Sequence, residues 1–443
     1  MKRNCVAEQK EYCKRVVVTG MGIISSIGND LVEFKKSLKS GHCGIDFIEF
    51  LPSSSFPVKI GAQIKGFSFL STIDKYLQYS EVRVDKAKKI ARRYSYPIQA
   101  SAISAIEAWI MARLDKLEFP RERIGVVIAG SNITLKLKYD MDQKFVESPE
   151  YVLPSYALNF MDTDLVGILS EIFEIQGEGF SVGGASASGN VGIIKASQLI
   201  RHGIVDACLV VGALADLSPT ELQGFHNLGA LGGKTFSCSP QKACRPFDSL
   251  HEGFIYGQAS GSLVLESLEF AEKHGGKILA EILGESLILD GNRLSNPNEN
   301  GEAKAMESAL RCAGIQFCEV DYINAHGTST PLGDITEINA ISRVFKKHFT
   351  DIWINSTKGL TGHCLYSAGI VEAIATIIQM NEGFLHPNLN LIDPINKEGR
   401  FVGQTAQNDN INVAMSNSFG FGGINTSIVL GKGIGNSIVK DHR

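Results

Sequence analysis

The stretch SVGGASASGNVGIIKASQLIRHG, residues 181–203, decides the fold. A strand closing near Val182 runs into a turn of small residues. A helix then starts near Ala187 and stops at a Gly203 C-cap. Ser186 sits in that turn, at a helix N-terminus where backbone N–H groups and the helix dipole favour negative charge. The geometry is that of a nucleophile elbow, although GxSxG does not fit in register, since Gly184 and Ser188 flank Ser186 at two residues. The plainer alternative is that small residues simply let a helix pack on a strand.

Outward from this stretch, 45 glycines punctuate short β-branched runs. VVVTGMGIISSIG from Val16, IGVVIAGS from Ile124, ACLVVGA from Ala207 and SGSLVLE from Ser260 are apolar on both faces, as strands between layers are. Helical spacing marks 101–114, 303–313 and 334–345. The alternation predicts an α/β fold. It runs twice: a second half carries KILAEILG from Lys277, DYINAHG from Asp321, DIWINST from Asp351 and INVAMSNSFGFGGINTSIVL from Ile411. We expect two pseudo-repeated halves, 14–266 and 267–433, with no linker between them. Residues 134–153 and 237–243 read as irregular surface loops.

Composition removes several functions. The chain has 443 residues, 44% hydrophobic and 20% charged, with a net charge of −4, so it buries a large core and has no global basic field for nucleic acid or an anionic membrane. Its first fifteen residues lack an apolar signal core, and no segment reaches the roughly 18 apolar residues of a membrane span. Nine cysteines, from Cys5 to Cys364, form no CxxC and no zinc-ligand spacing. They read as free buried thiols in a reducing cytoplasm, with no metal site.

Three further motifs carry candidate chemistry. In NAHGTSTPLGD, 324–334, a strand delivers His326 into a polar loop as a candidate acid, base or hydrogen-bond donor, with Thr328 and Thr330 facing a ligand or capping the next helix. In NSTKGLTGHCLYSAGIVEAI, 355–374, Lys358, His363 and Glu372 suggest a buried charge network that keeps an imidazole neutral. In SNSFGFGGINTSIVL, 416–430, Phe421 lies between two glycines of a hairpin-like turn; no Lys follows, so it is a poor phosphate loop. Arg245, Asp248 and Glu252 read as structural ion pairs.

Together these motifs resemble the β-ketoacyl-acyl-carrier-protein synthases over nearly the whole chain. The resemblance implies a thiolase-like fold, two similar halves in a five-layer αβαβα arrangement, and a homodimer with 134–165 near its interface. It implies that Ser186 occupies the position of the catalytic Cys. His326 and His363 match the two catalytic histidines, with Lys358 and Glu372 in support and orienting His363. Thr328 and Thr330 match contacts to a pantetheine arm. Phe421 matches a gate whose backbone N–H joins that of the nucleophile as an oxyanion hole, and Phe225, in LQGFHNLGA, a second acyl-pocket gate. The implied partner is an acyl carrier protein bearing malonyl-phosphopantetheine, with no nucleic acid, membrane, organic cofactor or metal. Lys136 and Lys138 are candidates for a basic patch facing that acidic carrier.

Ser186 departs from the family. A thiol at a helix N-terminus supplies thiolate at neutral pH, whereas a hydroxyl needs a general base within reach. Acyl transfer to the enzyme should therefore be impaired. Decarboxylation of a malonyl thioester needs only donors aimed at the enolate oxygen, and both histidines remain. This pattern resembles the Ser-variant ketosynthases of polyketide β-branching cassettes, which turn malonyl-carrier protein into acetyl-carrier protein. Two other readings stay open: a condensing enzyme with a slow or engineered Ser186, and a silent subunit like the chain-length factors, against which the retained His326, His363 and Lys358 speak.

Overall fold

The computed structural model describes residues 14–49 and 56–433; Cys5, Cys13 and most of the segment read for a leader lie outside the described residues. The first half supplies β1 (Val16–Ser25), β2 (Ile124–Ala129), β3 (Gly179–Val182), β4 (Ala207–Gly212) and β5 (Ala259–Ser267). The second supplies β6 (Ala280–Leu289), β7 (Tyr322–Asn324), β8 (Trp353–Asn355), β9 (Arg400–Phe401), β10 (Val413–Gly420) and β11 (Ile424–Lys432). The helices that matter here are α1 (Tyr96–Met111), α2 (Leu135–Glu147), α3 (Thr163–Phe173), α4 (Ser188–Arg201), α5 (Pro219–Asn227), α6 (Glu299–Ala313), α7 (Pro331–Phe345) and α8 (Ala368–Glu382).

Both halves use one strand order, β1-β5-β4-β2-β3 and β6-β11-β10-β7-β8, with β9 added at the second edge. In each, the first two pairings are antiparallel and the next two parallel. A short antiparallel pairing of Val17 and Val18 with Glu281 and Ala280 joins β1 to β6, so the two half-sheets form one continuous eleven-stranded sheet. Helices α4 and α8 pack between the half-sheets, α1 and α3 cover the outer face of the first, and α6 covers that of the second with α7 packed against it. These are the five expected layers.

Glycine placement explains how closely the layers approach. A Cβ at Gly20 would lie 2.1 Å from the Ala108 carbonyl oxygen and one at Gly22 would lie 2.0 Å from that of Ser104, so β1 receives the Ala-rich helix α1 directly on its backbone. In the central layer, a Cβ on Gly189 would come 2.6 Å from Ile370 N, and one on Gly369 would come 2.6 Å from Asn190 N. Helices α4 and α8 therefore cross backbone to backbone within their first turns.

Three local expectations are corrected. Residues 135–147 form helix α2, not a loop. Only Met141 is buried, so no apolar stripe marks it, and Lys136–Asp140 and Lys138–Asp142 pairs, 2.5 and 2.6 Å, brace its exposed face. Those pairs also neutralise the two lysines proposed as a free basic patch. Among the described residues Glu252 makes no ion pair but accepts backbone N–H groups of Gly233 and Thr235, whereas Arg245 and Asp248 do form a buried pair at 2.9 Å. Of the seven described cysteines, all free, Cys238, Cys312 and Cys318 are exposed rather than buried. Among the described residues no helix is long and apolar enough to cross a membrane, and no cluster of His, Cys, Asp and Glu could hold a metal ion.

The crossing makes a paired prediction. Gly189→Ala and Gly369→Ala should each destabilise by about 1–3 kcal/mol, because the new methyl meets backbone that cannot move aside, joined at Gly369 by the buried Asn190 side chain. Gly167→Ala, in α3 with nothing within 4 Å of its Cβ, should stabilise by about 0.5–1 kcal/mol. Thermal unfolding of the three variants checks both signs.

Candidate active site

Ser186 lies in a 3-10 turn, Ala185–Ala187, that feeds α4. Ala185 has φ +48°, a left-handed conformation that turns the chain sharply before Ser186. The second half repeats this device: Leu365, φ +49°, opens the turn Leu365–Ser367 that feeds α8. His363 stands just before it, its backbone clamped by His363 N–H to Ile255 O at 2.7 Å and Gly257 N–H to His363 O at 3.0 Å. The glycine crossing then brings the two turns together, and Ser186 Oγ lies 2.8 Å from His363 Nε2.

The proton arrangement of that contact follows from the other ring nitrogen. His363 Nδ1 accepts the Leu365 backbone N–H at 3.3 Å, which leaves the ring proton on Nε2. His363 thus donates to Ser186 and does not act as its base. Its edge rests on Phe254, with ring centroids 5.2 Å apart, and Phe225 stacks edge-on behind Phe254 at 5.5 Å.

His326 is delivered by β7. Glu337, one turn into α7, accepts the backbone N–H groups of His326 and Gly327 at 2.8 and 2.7 Å. Asp334, on the same face of α7, accepts those of Ser329 and Phe247 at 3.0 and 2.7 Å. Burial raises Glu337 to about 7. Neither carboxylate was singled out from the sequence, although their i, i+3 spacing behind a polar loop is a readable sign.

Lys358 and Glu372 form a buried ion pair. Here the structure corrects the sequence reading. Lys358 orients His326 rather than His363, although its charge acts on both rings: its Nζ donates to His326 O at 2.6 Å and faces His326 Nδ1 at 3.4 Å. With Glu372 as third acceptor, all three ammonium N–H groups are used. The His326 ring proton is left on Nε2, as in His363. The imidazole rings lie 5.5 Å apart. Both are held well below the usual histidine range, first by burial and then by the charge of Lys358. Burial raises Glu372 despite the pull of Lys358.

One cavity of about 440 Å³ gathers Ser186, His326, His363, Thr328, Thr330, Phe225 and Phe421 in its wall. Thr328 and Thr330 share a hydrogen bond of 2.8 Å rather than serving as caps. Phe421, 42% exposed, precedes Gly422 and Gly423, both with positive φ. Lys358 and Glu372 stand behind the wall. Sequence reasoning missed Glu302 and Tyr366, which also line the cavity. Glu302 is buried, with Oε2 unpartnered, and burial together with Glu337 and Asp290 keeps its carboxyl well above the ordinary range.

This architecture has close counterparts. The family model for the N-terminal domain of beta-ketoacyl synthase matches residues 13–271, and that for the C-terminal domain matches residues 279–392. The chain is 38% identical over 415 residues to the polyketide biosynthesis malonyl-ACP decarboxylase PksF of Bacillus subtilis (strain 168), covering 94% of this chain and 96% of that protein. It is 37% identical over 423 residues to the chloroplastic 3-oxoacyl-[acyl-carrier-protein] synthase I of Arabidopsis thaliana, covering 94% and 86%. A solved beta-ketoacyl synthase from Burkholderia phymatum STM815 superposes with a TM-score of 0.81 at 28% identity, covering 95% and 99%. With both domains matched and relatives aligned end to end, the chain belongs to the beta-ketoacyl synthase family, whose enzymes act on acyl chains held by acyl carrier protein.

Proposed function

We propose that this enzyme decarboxylates malonyl-carrier protein to acetyl-carrier protein in polyketide assembly, as a step of β-branching. The observation that carries the reading is that a donor faces Nδ1 of both His326 and His363, the Lys358 ammonium in one and the Leu365 N–H in the other, which assigns the ring proton of each to Nε2. Loss of CO₂ from a malonyl thioester leaves an enolate whose oxygen needs hydrogen-bond donors already in place. Two neutral imidazoles presenting Nε2–H from one cavity are such donors, and their burial strengthens them. A proton from solvent on the enolate carbon completes the acetyl group. Lys358 and Glu372 fix His326, and the Leu365 N–H fixes His363. The likeness to PksF supports the same reading. We take the enzyme to work as a homodimer; exposed Phe145, Val146, Tyr151 and Phe160 in the expected interface region support this.

A second reading, slow acylation of Ser186, has the 2.8 Å contact with His363 in its favour. The donor role of His363 Nε2 weighs against it. Intact mass of the enzyme after exposure to acyl-carrier protein separates the two, since only acylation adds mass to the protein.

Mass spectrometry of malonyl-loaded carrier protein tests the main proposal. We expect acetyl-carrier protein and no 3-ketoacyl product, even with an acyl-primed partner present. His326→Ala or His363→Ala should slow decarboxylation about 10²–10³-fold, the usual cost of removing one such donor. Ser186→Ala should retain most of the rate, and a total loss there would overturn the mechanism. Ring-¹⁵N histidine NMR checks the electrostatics. Lowered pKa values keep the neutral form populated as pH falls, so both rings should remain Nε2–H tautomers between about pH 8 and 6; a midpoint near 6.5 in either ring contradicts this.

A further inference from the structure

The two halves repeat the elbow, and the repeat places Tyr366 where the first half has Ser186. Each follows a residue of positive φ, in a 3-10 turn that enters one of the two crossed central helices. Tyr366 lines the same cavity as Ser186 and His363. Its ring bridges two apolar clusters, packing on the group that contains Ile133 and Ala213 and on the group that contains Phe254 and Leu217. Gly130 lies beside the base of the side chain: an added Cβ there would lie 3.4 Å from Tyr366 Cβ. The phenol stays neutral, since burial pushes it up to about 12 and Asp162 and Glu221 act in the same direction.

We propose that Tyr366 sets the length of acyl group that the cavity admits, closing the space beside Ser186 so that a two- or three-carbon acyl thioester fits and a longer chain does not. On this proposal an acyl group held at Ser186 runs along the part of the cavity that Tyr366, Phe225 and Leu365 line. Phe225 and Tyr366 both pack on the buried cluster that holds Leu365 and Phe254, so a longer chain needs the Tyr366 ring removed. Such a limit excludes the primer of a condensation before any question of nucleophile strength. The inference rests on this cavity being the acyl site, and it is independent of whether decarboxylation occurs.

Acylation of an introduced thiol reads the limit directly. In Ser186→Cys, a thiolate at the start of α4 attacks the thioester carbonyl carbon. A new C–S bond forms, the pantetheine thiolate leaves, and solvent protonates it. Acetyl-, butanoyl- and octanoyl-pantetheine thioesters are offered to Ser186→Cys, to Ser186→Cys/Tyr366→Ala and to Ser186→Cys/Tyr366→Phe, with intact mass as the readout. The expected result is acetyl uptake faster than octanoyl by about tenfold or more in the single variant, the scale on which pockets reject extra methylenes. The Ala variant should bring the ratio near one, and the Phe variant should keep it, because the ring and not the hydroxyl fills the space. Where thioesters react with none of the variants, iodoacetamide and its N-octyl derivative give the same ratio. Equal uptake of both lengths by the single variant, or a ratio unmoved by Tyr366→Ala, overturns the proposal.

Discussion

No side chain separates α4 from α8 where they cross, and the site depends on that contact. Gly189 sits against the backbone at Ile370, and Gly369 sits against that at Asn190. Each helix is preceded by its own tight turn, so the crossing sets the distance between the turns. Ser186 and His363 meet at hydrogen-bond range because their helices meet at van der Waals range. Both helices are buried almost throughout, which removes solvent as a competitor and rotation as a freedom.

A buried ion pair of the Lys358–Glu372 kind is poor evidence for stability, because desolvation offsets most of its attraction. Its value here is directional. An ammonium whose three donors are committed to Glu372, His326 O and His326 Nδ1 leaves the His326 ring one tautomer to adopt. For His363, a backbone N–H does the same work without charge. Two different devices thus reach one result, a neutral ring with Nε2–H facing the cavity. The surrounding carboxylates have a mechanical part: Glu337 and Asp334 hold the His326 loop by its backbone.

The sheet was legible because its strands are buried on both faces and read as unbroken apolar runs; their alternation with helices gave the α/β class, and the five layers came only from the family resemblance. Helix α2 was not legible, since a helix held by surface Lys–Asp pairs presents no apolar period. In the site, residue types at strand ends and glycine turns marked Ser186, His326, His363 and Phe421. What stayed hidden were matters of partnership across the chain. Lys358 is five residues from His363 in sequence, yet folds onto His326, because the short helix Lys358–Thr361 turns its side chain toward β7. Tyr366 was hidden for another reason: its role depends on the second half repeating the turn of the first, a correspondence of backbone conformation that leaves little mark in side-chain identity.

That correspondence bears on what a serine at the first elbow can do. A duplicated fold begins with two equivalent elbows, each at the start of a central helix. In this chain the first elbow carries a small hydroxyl that accepts from His363, and the second carries a ring. Neither offers an activated nucleophile. The donors lie just beyond the elbows, on His363 before the second turn and on His326 at the end of β7, and they keep their tautomers through bonds in which Ser186 takes no part. In the proposed decarboxylation, a neutral hydroxyl at Ser186 places no negative charge beside the enolate oxygen, where a thiolate would oppose the charge that develops. On the proposed function, Ser186 forgoes acyl transfer and leaves the field around the reacting carbonyl favourable to decarboxylation.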